Sequence, residues 1–454
     1  MKHLKGDKMN IQKSVNLFYR DHSIVAPGQH MLYFPIAVDR VEGDIVTDID
    51  GNQYIDFLSS ASSLNLGGSH PELNGAIMAQ MEKCMQYCTC YTLNEPMVEY
   101  AERLSSVYPG GGAVKVCFSH SGSDANDLAI RFARAYTGRA NIISFSHSYH
   151  GSTYATSDIS ASCVNKDSSM LKTRHFRYFY SEEPAPFEES YMGEIEHAFA
   201  TDLPPETVAA VFIEPIQGDG GMRPAAKGFI RQLYRLCQKH GILFISDEVQ
   251  QGFFRSGRWF SIEHYGVIPD GIVLGKSAGA GLPLGAFIAR REIMESFPAS
   301  LCASTLAGTH LACAAGTAQF DYMCREAFQL QLEKNSCLMA SLTAKLVEHR
   351  KRNIQLQISG MGMSYGIHVL DGQTGLPDPF TAYKIAFRCY ETGLLVIAVS
   401  GNVLRIQPPL TISKEHLTEG FQRLECAIED IDSGYVSEDM LQFYLNWYTA
   451  SDMG

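Results

Sequence analysis

The chain has 454 residues, 45% hydrophobic and 19% charged, which is the composition of an ordinary globular protein. A net charge of −12 argues against a general affinity for nucleic acid or for anionic membrane surfaces, and no apolar run is long enough to span a bilayer. The N-terminal MKHLKGDKMNIQKS is basic with no apolar stretch behind it, which does not fit a signal peptide, so the 12 scattered cysteines are expected to be reduced thiols in a cytoplasmic protein.

In chain order, residues 10–43 read as a helical entry segment followed by loop. Residues 44–57 read as a hairpin, because IVTDI and QYIDF flank the turn residues Asp50-Gly51-Asn52. Cys84, Cys88 and Cys90 cluster but lack the paired CxxC spacing and the fourth ligand of a metal site; they read as packing thiols. Core packing is also the expectation for the aromatic and Met-rich residues 85–91, with pocket lining as the alternative. Strand and helix patterns then alternate. Strands are expected at 113–118, 141–145, 208–213, 242–246, 271–274 and 284–289. The spacing of Ala125, Leu128, Ala129, Phe132, Ala133 and Tyr136 predicts a helix over 123–136, closed by Gly138. Ile230, Leu233, Cys237 and His240 do the same over 228–240, closed by Gly241. Alternation of this kind implies an α/β protein with a large, mostly parallel sheet. From about residue 321 the pattern changes to one long helical stretch ending near Arg352. Shorter strands at 355–358, 394–397 and 403–406 follow, read as a smaller α+β domain. The expected division is 1–50, an N-terminal segment packing with the small domain; 51–320, the large domain; and 321–454, the small C-terminal domain.

In open α/β sheets, ligands sit beyond the carboxyl ends of the strands, so the residues after each strand matter most. Ser119-His120-Ser121-Gly122-Ser123 opens a helix, where free backbone N–H groups and the positive dipole end suit a phosphate; an ordinary N-cap is the alternative. Tyr149, after the next strand, could lie on a planar ring or be a plain loop aromatic. Glu214-Pro215-Ile216-Gln217-Gly218-Asp219-Gly220-Gly221 places two carboxylates and an amide in a glycine-rich loop, although Asp and Gly are also common turn residues. Asp247 could hold a ring nitrogen protonated or pair with Arg255 or Arg258. Lys276 follows an apolar strand among small residues, where desolvation makes an amine nucleophilic enough to form an imine with an aldehyde. A P-loop also ends in Gly-Lys-Ser, but Asp270 stands where its first glycine belongs. A phosphate cradle, a stacking aromatic, a carboxylate for a pyridine nitrogen and an imine-forming lysine together make up the protein's share of a pyridoxal-phosphate site.

The stretches VTDIDGNQYIDFLS, SHSGSDANDLAIRFARAYTG, SYHGSTYA, IEPIQGDGG, GILFISDEVQQGFFRSG, GKSAGAGLPLGA and LRIQPPLTIS occur in order over about residues 46–413. In these the chain resembles the class III aminotransferase family of fold-type I pyridoxal-phosphate enzymes. The resemblance implies that Gly122 and Ser123 hold the cofactor's phosphate, and that Tyr149 and Val249 cover the two faces of its ring. It further implies that Asp247 pairs with the ring nitrogen, Gln250 reaches the phenolic oxygen and Lys276 is the Schiff-base lysine. Thr305 would complete the phosphate site of a neighbouring subunit, and Arg405 would bind the carboxylate of an amino-acid substrate, a task suited to a guanidinium. A homodimer or larger homo-oligomer with active sites at the interface is implied. The chain departs from the family in having Gly308-Thr309-His310 where Gly-Asn-Pro often follows the phosphate threonine.

The same resemblance leaves two outcomes at Cα. A transaminase returns the proton to the cofactor and needs a keto acid. A racemase returns it to Cα from the opposite face and needs a second acid–base group. Transaminases of the family commonly read EPVQGEGG; this chain reads EPIQGDGG and looks closest to a subgroup that includes isoleucine 2-epimerase and aminocaprolactam racemase. The expectation is therefore a racemase or 2-epimerase using Lys276 and Asp219 as a pair of bases. A transaminase is the alternative, with a non-catalytic cofactor-binding protein behind both.

Overall fold

The protein is described by a computed structural model covering residues 9–161, 173–183, 191–348 and 351–440. Its central sheet has seven strands: β1 (Val114–Ser119), β2 (Asn141–Phe145), β3 (Thr173–Phe176), β4 (Val208–Ile213), β5 (Leu243–Asp247), β6 (Gly271–Leu274) and β7 (Gly285–Arg290). They lie in the order β3-β2-β4-β5-β6-β7-β1. The pairs from β3 through β6 are parallel, and β7 runs antiparallel to both of its neighbours. Strands β4 and β5 are buried along their whole length, which is why each reads as a near-unbroken apolar run instead of an alternation.

Helix α1 (Gly122–Thr137) packs Ala125, Leu128, Ala129, Phe132 and Ala133 into the core. It begins at Ser121, whose Oγ accepts a hydrogen bond from the Asp124 N–H at 3.2 Å, and ends at Gly138 with φ 69°. Helix α2 (Lys227–His240) buries Phe229, Ile230, Leu233, Leu236 and Cys237 and ends at Gly241 with φ 61°. Each such apolar side chain contributes about 1.5–3 kcal/mol by leaving water, so Leu233→Ala would remove roughly 2–5 kcal/mol once the cavity it leaves is included.

A second sheet is antiparallel, with strands Ile354–Met361, Ser364–Asp371, Val403–Ile406 and Ile397–Val399 in that order. The third contains Val38–Glu42, Ile45–Asp48, Gln53–Asp56 and Leu394–Leu395. The hairpin read at 44–57 is therefore present, and its second strand pairs in parallel with Leu394–Leu395.

Three sequence expectations are corrected. Residues 38–42 form a strand, not loop; its side chains are mostly exposed, so no apolar pattern marks it. The long helical stretch is present as Glu326–Glu348, but it starts at Glu326 and not near 321, because residues 321–323 end a separate helix, His310–Met323. The separate helix packs on Pro71–Lys83 and Glu95–Ser106, the long one on Ile354–Met361 and Lys414–Asp432, so tertiary packing makes a break that no Gly or Pro announces. The strand read at 394–397 divides between two sheets, with Val396 at the crossing.

Candidate active site

The segments that follow β1, β2, β4, β5 and β6 open on a common cavity of about 420 Å³. Gly122, Ser123, Tyr149, Asp219, Asp247, Val249, Gln250 and Lys276 all line it. So do His150 and Glu214, to which the sequence reading gave no role. A more open groove of about 800 Å³ beside Asn52, Gly393 and the helix Lys414–Asp432 contains none of them.

Lys276 is separated from the end of β6 by Gly275 and has φ 46°, a left-handed conformation that costs a non-glycine residue about 1–2 kcal/mol. Burial holds its amine below the usual lysine range, against the opposing pull of the Asp219 carboxylate. Space before it is tight. A Cβ on Gly275 would lie 2.7 Å from the Gly122 Cα and 2.8 Å from the Gly122 N, and one on Gly122 would lie 2.6 Å from Val249 Cγ1. Two glycines thus bring the lysine turn against the first turn of α1.

Asp247 ends β5 and is buried. Its Oδ2 accepts from Asn126 Nδ2 at 2.9 Å and from His150 Nδ1 at 2.6 Å, and its Oδ1 accepts from the Val249 N–H at 3.0 Å. The alternative of a pairing with Arg255 is not what forms: the Arg255 guanidinium donates to the Met363 and Pro408 carbonyls, Ser59 and Asn65. Burial disfavours the charged form of His150, but the hydrogen bond and charge of Asp247, with the charge of Glu214, outweigh it and raise the imidazole pKa above its usual value. His150 Nε2 has no hydrogen-bond partner among the described residues.

Glu214 joins two loops. Its Oε1 accepts from the Tyr149 N–H and its Oε2 from the Gly218 N–H, both at 2.9 Å. Burial pushes its carboxyl upward, partly countered by His150. The sequence singles out Glu214 as one of two carboxylates in its loop without giving it a role, and it passes over His150, because the significance of both lies in burial and partners; the available signal was their place directly after β4 and beside Tyr149.

Asp219 pairs with Arg405, which lies on Val403–Ile406 and is buried. Burial works against the Asp219 carboxylate, but Arg405 and then Lys276 hold its pKa below the ordinary value. Arg405 Nε has no partner among the described residues, so Asp219 does not saturate the guanidinium. Thr305 is exposed and outside the cavity; its carbonyl accepts from the Gln86 amide at 3.0 Å and the Thr89 N–H at 3.3 Å.

The expectation of core packing for 85–91 is corrected, since Met85, Tyr87 and Tyr91 are 59%, 62% and 83% exposed. Nor do they line the cavity. The packing-thiol reading of the cysteines is likewise corrected, because Cys90 is exposed and Cys84 and Cys88 are half-buried; the Cys88 and Cys90 Sγ atoms lie 3.3 Å apart.

The fold is that of fold-type I pyridoxal-phosphate enzymes. A transaminase from the marine bacterium Virgibacillus superposes with a TM-score of 0.84 at 24% identity, covering 92% of this chain and 99% of that one. The aminotransferase class-III family matches residues 24–428, and the chain belongs to that family. Its relatives include an isoleucine 2-epimerase from Lentilactobacillus buchneri, 36% identical over 94% of this chain and 97% of that protein. A leucine/methionine racemase from Thermococcus litoralis is 36% identical over 93% and 97% respectively.

The cavity's chemistry fits pyridoxal phosphate. Backbone N–H groups and the Ser123 hydroxyl at the start of α1 suit a phosphate, Asp247 suits a ring nitrogen, and the Lys276 amine stands among the charges of Asp219, Arg405, Glu214 and Asp247. Gln250 Oε1 is buried without a partner among the described residues.

Proposed function

We propose that the protein is a pyridoxal-phosphate-dependent amino-acid racemase or 2-epimerase. The observation that carries this reading is that a basic amine, Lys276, and an ionised carboxylate, Asp219, line one cavity and act electrostatically on each other. Inversion at Cα requires two such groups, one for each face.

Bound pyridoxal phosphate supplies an aldehyde to link the substrate's amine and a protonated ring to take up the electrons released at Cα. The protein's residues do the rest. Gly122 and Ser123 would hold the phosphate. Tyr149 and Val249 would enclose the ring, and Gln250 would hold its phenolic oxygen. Asp247, oriented by His150 and Asn126, keeps the ring nitrogen protonated. The Arg405 guanidinium binds the substrate's carboxylate. Lys276, with its pKa depressed, moves the proton at one face of Cα, and Asp219 moves it at the other.

The test is to incubate the enzyme and cofactor with single L-amino acids, without a keto acid, and follow chirality. Catalytic formation of the D- or allo-isomer supports the reading; amino transfer that starts only on adding a keto acid, with no inversion, sinks it. That second outcome belongs to the transaminase reading, which the Arg405–Asp219 pair favours, because a carboxylate engaged by a guanidinium is a weaker base.

We further propose that a second copy of the chain completes the site. Thr305 is exposed, and the segment against it carries exposed Tyr87, Tyr91 and Leu93. Single-sign charge placed there, as in Leu93→Arg, should lower the sedimentation coefficient toward that of a monomer. We place the protein in the cytoplasm, on the support of 11 free cysteines among the described residues. Among those residues no helix is long and apolar enough to cross a membrane.

A further inference from the structure

The loop that carries Asp219 is held from a second direction. The ribbon Ile216–Gln217/Arg223–Pro224 turns through residues 218–222, and within that turn Gly221 and Met222 have φ of 111° and 52°. The Gly221 carbonyl does not point to solvent. It accepts the Ser359 hydroxyl at 2.8 Å. Ser359 Oγ lies 2.8 Å from His368 Nε2 as well. A hydroxyl has one proton, and Ser359 gives it to Gly221, so His368 must donate Nε2–H to Ser359. Burial, followed by the nearby Arg223 charge, holds the His368 pKa down to about 4, so the imidazole is neutral and its tautomer is fixed by that bond.

Sheet register shows why this chain of bonds concerns the site. Ser359 pairs with Gly366, and Gly366 pairs with Arg405. Ser359, Gly366 and Arg405 thus form one row across three strands. One end of the row holds the loop by its backbone, and the other holds Asp219 by its carboxylate. The middle position must be small: a Cβ on Gly366 would lie 2.4 Å from the Gly221 carbonyl oxygen and 2.9 Å from Ser359 Oγ.

We infer that Ser359, backed by His368, is a positioning residue that fixes the Asp219 loop for proton transfer at Cα. It is not among the residues that line the cavity; it acts through Gly221. The inference rests on the racemase reading of Asp219. It predicts that Ser359→Ala impairs the step that needs Asp219 more than the step that needs Lys276 alone.

The experiment measures two rates in deuterated water with the holoenzyme: inversion, and Cα exchange with retention. Ser359→Ala should lower the ratio of inversion to retained exchange about 10-fold, since sub-ångström displacement of a reacting group is costly to rate. Ser359→Thr keeps the hydroxyl in a strand and should restore the ratio. Equal loss of both rates in Ser359→Ala, an unchanged ratio, or a ratio lowered just as far in Ser359→Thr overturns the inference. Wild-type enzyme that exchanges without inverting overturns the racemase reading itself, which is a distinct result.

Discussion

Arg405 and Asp219 form an ion pair that ties the small antiparallel sheet to the loop after β4. One guanidinium thereby serves a carboxylate of the protein and, on our reading, a carboxylate of the substrate. Arg405→Ala should weaken substrate binding by about 10- to 150-fold, the loss expected for a charge-assisted hydrogen bond. It should also move the acid limb of the pH–rate profile upward, because Arg405 is what chiefly depresses the Asp219 pKa. Sign follows from that depression: the pair's contribution is present above the usual carboxylate value of 3.8 and is lost as pH falls through the depressed value. Steady-state kinetics across pH 4–8, taken as roughly the working range of such a limb, checks both statements.

Asp219→Asn keeps size and loop chemistry but removes the base. Inversion should be abolished, while Cα exchange on the Lys276 side continues. Persistence of inversion in this variant would remove Asp219 from the mechanism.

The Asp247–His150 bond is buried at both ends. Asp247→Asn should destabilise the cofactor-free protein by about 3–5 kcal/mol, the penalty of leaving a buried charge without its partner. Denaturant unfolding at pH 6 measures it. The effect should shrink with rising pH, since a histidine raised from 6.5 contributes fully below that value and ceases to contribute once pH passes its folded-state value. Cofactor retention on dialysis should fall as well.

Gly275→Ala places a methyl against the backbone of Gly122. Backbone atoms at the first turn of α1 cannot rotate aside, so overpacking of about 1–3 kcal/mol is expected. On the proposed reading these atoms form the phosphate cradle, so the dissociation constant for pyridoxal phosphate, measured by titration of the cofactor-free protein, should rise as well.

Much of the site was legible because strand ends are legible. Asp247, Tyr149, Asp219 and Lys276 each follow a buried apolar run, and the sheet order brings those ends together. Networks were not legible. His150 and Ser359 act through hydrogen bonds between segments 97 and 138 residues apart, and no local pattern encodes such partners. The same holds for the start of the long helix at Glu326, where the chain leaves a helix that packs on different neighbours.

The left-handed backbone at Lys276 has a further consequence. Glycine adopts that conformation freely, so a chain under selection for folding alone would carry glycine there. Lys276→Gly should give a cofactor-free protein at least as resistant to heat as the wild type, yet without activity. Lysine at 276 is therefore a local preference overruled: the position records what the molecule is used for, written as a departure from what its backbone would choose.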